Sequence, residues 1–172
     1  GGSGGSGGGY KNFQNIKGKD DDSGNQTNKI TLNSNSNNVS ITGPNSGTVD
    51  GTAFTNISDI DLAGGDDNAI ISATGSLSGT LKGGEGKDDL FLNNADNVIN
   101  VDHNGSGNLI SNFNDLPAII LPPPIPTDFD GFEIIRLDDG RDIANLTFDA
   151  STEKITKQPL RIVGGNGLDS IN

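Results

Sequence analysis

The chain has 172 residues, enough for one domain, but only 30% are apolar and 5% aromatic, so its core must be thin or regular. The formal net charge of −12 and a pI near 4.2 exclude a nucleic-acid surface, which needs basic residues to release counterions, and make cations the natural partners. The lack of Cys excludes disulfides and thiolate metal centres, and no run of about 18 apolar residues offers a membrane span.

Residues 1–9, "GGSGGSGGG", read as a flexible linker, and folding is expected to begin at Tyr10. With no Met and no leader, the chain is expected to be a fragment or a processed product. Its 26 glycines disfavour helices. Short strand-like runs follow one another: "KITLN" (29–33), "NVSIT" (38–42), "GTAFTNISDIDL" (51–62), "NAIIS" (68–72), "LFL" (90–92) and "NVINV" (97–101). Each is bounded by Gly, Asn, Asp or Ser, the residues that tolerate tight turns.

Segments also recur. "YKNFQNIKGKDDD" (10–22) parallels "TAFTNISDIDLAGGDDN" (52–68), so that Phe13 answers Phe54 and Ile16 answers Ile57, with "FEIIRLDDGRD" (132–142) a weaker third copy. "SGTVDG" (46–51) recurs as "SGTLKG" (78–83), with Val49 and Leu81 in one slot. Turn-like positions fall at Gly43, Gly64, Gly83 and Asn104, 21, 19 and 21 residues apart. A period of about 20 residues predicts an all-β fold, a parallel β-solenoid (β-roll or β-helix), with a β-sandwich of short strands as the alternative. In such coils Ile70, Leu90 and Ile110 would form one interior column, and Leu81 and Val101 another.

"DLPAIILPPPIPTDFDG" (115–131) breaks the rhythm, because consecutive prolines cannot donate to an interior ladder. The expected organisation is solenoid coils over 10–116, a proline-rich loop or junction over 117–130, and further β coils over 131–172.

"GGEGKDDLF" (83–91) and "GGNGLDSIN" (164–172) share the form G-G-x-G-x-D-x-U-x. Glycines let a backbone turn its carbonyls inward, and an aspartate adds an anionic oxygen, giving the hard oxygen ligands that Ca²⁺ prefers. The two nonapeptides resemble the calcium-binding repeats of RTX proteins, secreted bacterial toxins, enzymes and adhesins whose repeats form parallel β-rolls with ions between neighbouring turns. By that resemblance Gly83, Glu85 and Asp88 would supply one side of a site and Gly164, Asn166 and Asp169 one side of another. The facing oxygens for Asp88 would come from the turn one coil earlier, Gly64, Gly65, Asp66 and Asp67. "GGDDN" (64–68) lacks the third glycine, and "HNGSGNLIS" (103–111) lacks the aspartate. The longer pattern is similar to repeats of large filamentous-haemagglutinin-like bacterial surface proteins.

The resemblance implies an extracellular, calcium-assisted structural or adhesive module of a secreted bacterial surface or matrix protein, and not an enzyme. Ca²⁺ would be its cofactor, neutralising acids that repel one another where calcium is low. A glycan- or protein-binding module is the alternative, and a β-helical polysaccharide-active enzyme fragment a more distant one. Uncapped coil ends would favour end-to-end self-association. His103, the single histidine, is expected at an exposed turn. The adjacent carboxylates Asp66/Asp67 and Asp138/Asp139 suit metal ligation better than glycoside hydrolysis, because neighbours on a strand point to opposite faces.

Overall fold

A computed structural model describes residues 15–18, 28–102, 105–111, 126–147 and 159–172. Within them the chain is all-β, with sixteen short strands in two mixed eight-stranded sheets and no helix. The first sheet runs β1 (Asn15–Lys17), β5 (Thr52–Thr55), β4 (Ser46–Val49), β3 (Asn38–Gly43), β7 (Asn68–Ile71), β9 (Asp89–Phe91), β13 (Ile134–Gly140), β15 (Arg161–Gly167). The second runs β16 (Ser170–Ile171), β14 (Ile143–Thr147), β10 (Asn97–Asp102), β11 (Gly107–Ser111), β12 (Thr127–Asp130), β8 (Thr80–Lys82), β6 (Asp59–Asp61), β2 (Lys29–Thr31).

Parallel neighbours need a long connection between them, and here that connection is usually a passage through the other sheet. The chain goes from β6 to β7, β8, β9 and β10 by changing sheets each time. Side chains alternate inward and outward, as in β10, whose odd-numbered residues Asn97, Ile99 and Val101 are buried. In-register pairing then stacks like upon like. Val39, Ala69, Leu90, Ile135 and Ile162 form one inner row, and Ile30, Ile60, Leu81 and Phe129 form a second in the facing sheet. Both rows belong to a single apolar cluster. Each fully buried Ile, Leu or Phe contributes about 1.5–3 kcal/mol relative to exposure.

Two antiparallel meanders interrupt the sheet-to-sheet alternation, β3–β4–β5 in the first sheet and β10–β11–β12 in the second. They are built alike. Gly47 faces Phe54 across one and Gly107 faces Phe129 across the other, and at both glycines a Cβ would overlap a backbone carbonyl, that of Ser40 or of Asn100.

The meanders also explain where the expected register is wrong. Successive equivalent positions are not 20 residues apart: Val39 to Ala69 is 30, Ala69 to Leu90 is 21 and Leu90 to Ile135 is 45. A one-residue error turns a strand over, so Ile70 lies on the outer face beside Phe91 and is 46% exposed. Ile110 pairs with Val98 in the second sheet, whereas Leu90 belongs to the first. Leu81 and Val101 are both buried and share one row of the second sheet, but Phe129 and Gly107 stand between them. Ile16 pairs with Phe54, not in the place of Ile57, and Phe13 lies outside the described residues. Val49 and Leu81 occupy different sheets. The run 51–62 is two strands, divided where Asn56 adopts a φ of 59° and the chain changes sheet. Of the segment 117–130, residues 127–130 form β12, an interior strand between β11 and β8, while the triple proline falls outside the described residues.

Candidate functional site: two ladders of turn carboxylates

At one edge of the sheets, turns leading from the second sheet to the first lie against one another. Just before β3, β7, β9 and β13, the residues Asn37, Asp67, Asp88 and Glu133 hold equivalent positions. The backbone N–H of each donates to the side chain of the next: Asn37 N to Asp67 Oδ1 at 2.7 Å, Asp67 N to Asp88 Oδ1 at 3.0 Å and Asp88 N to Glu133 Oε2 at 2.8 Å. All four residues are buried, Asp67 at 1% and Asp88 at 0% exposure.

The opposite edge repeats the device. Asn97 N donates to Asp142 Oδ1 at 2.9 Å, and Asp142 N to Asp169 Oδ1 at 3.3 Å. Each ladder begins with an asparagine tied to its own turn. Asn37 Nδ2 donates to the carbonyls of Asn33 and Asn35 at 3.1 and 2.6 Å, and Asn97 Nδ2 to those of Asn93 and Ala95 at 3.0 and 2.6 Å. Both side chains also reach the following aspartate.

These residues are placed by the glycine motif. A Cβ on Gly83 would lie 2.4 Å from the Gly131 carbonyl oxygen of the neighbouring turn and 2.8 Å from Asp88 Oδ2, and one on Gly164 2.7 Å from Asp169 Oδ2, so the first glycine makes room for the carboxylate five residues on and, at Gly83, for the next turn. The last glycine has a left-handed φ, 133° at Gly86 and 144° at Gly167. A Cβ there would overlap the carbonyl oxygen of Gly65 or Gly140 in the neighbouring turn. The spacing is therefore that of a turn packed directly on another.

Of the residues singled out in sequence, Gly64, Gly65, Asp66, Asp67, Gly83, Glu85 and Asp88 come together in two adjacent turns. Gly65 N donates to the Glu85 carbonyl at 2.9 Å, Glu85 N to the Ala63 carbonyl at 3.0 Å and Lys87 N to Asp66 Oδ1 at 3.0 Å. Gly164, Asn166 and Asp169 belong to the other edge. There "GGNG" is the end of strand β15, whereas "GGEG" is a turn between β8 and β9, and Asn166 N donates to Asp139 Oδ1 at 2.9 Å. His103 lies outside the described residues.

The electrostatics are those of like charges held in a dry place. Burial pushes the Asp88 carboxyl up to about 6; the Asp67 N–H opposes the rise, and the charges of Asp67, Glu133 and Asp66 add to it. Asp67 is raised by burial against its hydrogen bonds from Asn37, with Asp50 and Asp66 adding to the rise. Asp142 is raised by burial against Asn97, with Asp169 and Asp96 adding. One oxygen of each acid, Oδ2 of Asp67, Asp88 and Asp142, is buried without a hydrogen-bond partner. Such an oxygen calls for a water, a proton or a cation. An all-oxygen donor set suits Ca²⁺, although no three His, Cys, Asp or Glu side chains among the described residues are grouped as a ready metal cluster.

Asn37, Asn97, Glu133 and Asp142 were not singled out in the sequence. The available signal is the recurrence of L-N-x-x-x-N at 32–37 and 92–97, 60 residues apart, the same interval that separates Gly47 from Gly107. Because Asn97 Nδ2 serves three acceptors in a buried setting, Asn97→Ala should destabilise the protein by about 2 kcal/mol. Urea unfolding would measure this, and Asn145→Ala, altering a more exposed amide bonded to Asn100 at 3.0 Å, should cost clearly less.

The chain matches no protein-family model, no curated protein and no solved structure.

Proposed function

We propose that the chain is a structural module, a β-solenoid whose circuits are locked together by the acid ladders and tightened by calcium, serving as a rigid or adhesive segment of an extracellular bacterial surface protein. The observation that carries this reading is the pair Asp67 and Asp88, buried one above the other with an unpartnered oxygen on each. Two carboxylates so placed repel, and a divalent cation converts the repulsion into a cross-link between turns. Asp67 and Asp88 would supply the charged oxygens of such a site and the carbonyls of the two turns and water the rest, with Asp142 and Asp169 in the corresponding place at the other edge.

The rest of the molecule is consistent with a stacking role. Ion pairs join neighbouring strands and turns: Arg136 meets Asp89 at 2.8 Å, Arg141 meets Asp96 at 2.9 Å and Lys29 meets Asp61 at 2.7 Å. On the outer face of the second sheet an amide chain runs from Asn172 to Asn145, Asn100 and Asn108, with bonds of 3.0, 3.0 and 2.9 Å. The proposal assigns no catalytic role to these groups.

Calcium titration followed by circular dichroism, with melting in chelator and in millimolar Ca²⁺, tests the reading. A melting temperature that rises with calcium and saturates is expected. A β spectrum and melting temperature indifferent to calcium would leave a metal-free structural stack.

A further inference from the structure

Five residues before Asn37, Asp67, Asn97 and Asp142 stands a buried leucine, Leu32, Leu62, Leu92 or Leu137. Before Asp88 that place belongs to Gly83, so a position that elsewhere fills the core carries no side chain. Oxygen lies there instead. A Cβ on Gly83 would stand 2.4 Å from the Gly131 carbonyl oxygen and 2.8 Å from Asp88 Oδ2, so two oxygens from neighbouring turns converge on one point.

Both lack a donor. Asp88 is 0% exposed; its Oδ1 takes the Asp67 N–H, and its Oδ2 has no partner. Gly131 is buried too, and no N–H among the described residues donates to its carbonyl. Two buried acceptors held this close repel each other, and a cation between them turns the repulsion into a link. Glu133, also buried, brings a further negative charge, its Oε2 accepting from Asp88 N at 2.8 Å. No cationic side chain among the described residues pairs with either acid. We propose that Asp88 Oδ2, the Gly131 carbonyl and the Glu133 carboxylate form a calcium seat beside Gly83, joining the turn 83–88 to the turn 131–133. The seat rests on the calcium reading above and extends it from Asp67 and Asp88 to a third turn, one without a glycine-rich motif. Water would complete the six to eight or so oxygens that Ca²⁺ takes.

Calorimetric titration of calcium into the whole chain tests the seat. Glu133→Gln keeps an oxygen for the Asp88 N–H and removes the charge. Glu85→Gln, at an exposed residue of the glycine-rich turn, is the control. The parent should bind calcium, Glu133→Gln should bind it at least about tenfold more weakly, and Glu85→Gln should stay within about twofold of the parent. In chelator at neutral pH, Glu133→Gln should melt no lower than the parent, because it removes a buried like charge without removing the acceptor. A Glu133→Gln chain that binds as tightly as the parent overturns the seat while leaving calcium binding itself in place, and so does a Glu85→Gln chain weakened just as much. A Glu133→Gln chain that melts lower in chelator makes Glu133 a structural acceptor and removes it from the seat. A parent that takes up no calcium overturns the calcium reading and the seat together.

Discussion

Alanine at Gly86 should destabilise the protein by about 3 kcal/mol or more, lowering the melting temperature by roughly 6–12 °C for a chain of this size. Two costs combine. Gly86 has a φ of 133°, a conformation that a residue with a Cβ avoids, and the new methyl would run into the Gly65 carbonyl oxygen, which belongs to rigid backbone. The neighbouring turns would have to separate, stretching the Gly65 N–H to Glu85 carbonyl bond and its reciprocal to Ala63. Gly51 is the control: its φ of 79° is also left-handed, but nothing lies within 4 Å of an added Cβ. Gly51→Ala should cost only about 1 kcal/mol, from backbone strain. Parallel thermal melts would compare them, and equal losses would mean that the turns are not in contact.

With calcium removed, the protein should become more stable as the pH falls from 7 towards 5. Asp88 ionises near pH 6 when folded and near 3.8 when free, so over that interval the folded state binds more protons than the unfolded one, and adding protons favours folding. Asp67 and Asp142 shift in the same direction and add to the effect. The gain is complete once the pH nears the unfolded value, and it is lost as the pH rises through 6. Ordinary paired carboxylates behave oppositely, being most stabilising when ionised. Chemical denaturation in chelator across this range gives the sign directly, and stability that falls between pH 7 and pH 5 would show that the ladder acids prefer to be charged.

Much of the turn chemistry was legible in sequence and little of the register was. "GGEGKDDLF" could be recognised because part of what Gly83, Gly86 and Asp88 answer is local: room for a carboxylate, a left-handed backbone and an anionic oxygen. Circuit lengths are not local. The meanders at 38–55 and 97–130 add residues between equivalent positions, and two-residue alternation turns a slip from 21 to 20 into the difference between a buried Ala69 and an exposed Ile70. Asn37 and Asn97 were hidden for another reason. Asparagine is common in this chain, and beyond the recurrence of L-N-x-x-x-N it is contact with an acid 30 or 45 residues away that separates these two from the rest. Glu133 was concealed because its turn, "GFE", has neither the paired glycines nor the aspartate of the turns that end in Asp67 and Asp88.

Asp88→Asn tests most directly the claim that a cation or a proton must neutralise the ladder. The substitution nearly preserves shape and removes the charge. In excess chelator at neutral pH, the asparagine chain should melt at the same temperature as the parent or higher, because Asp67 and Glu133 lose a buried like charge between them. In millimolar Ca²⁺ the parent should gain stability and the variant should gain much less. An equal calcium gain in both chains, or a variant clearly less stable than the parent in chelator, would contradict the account.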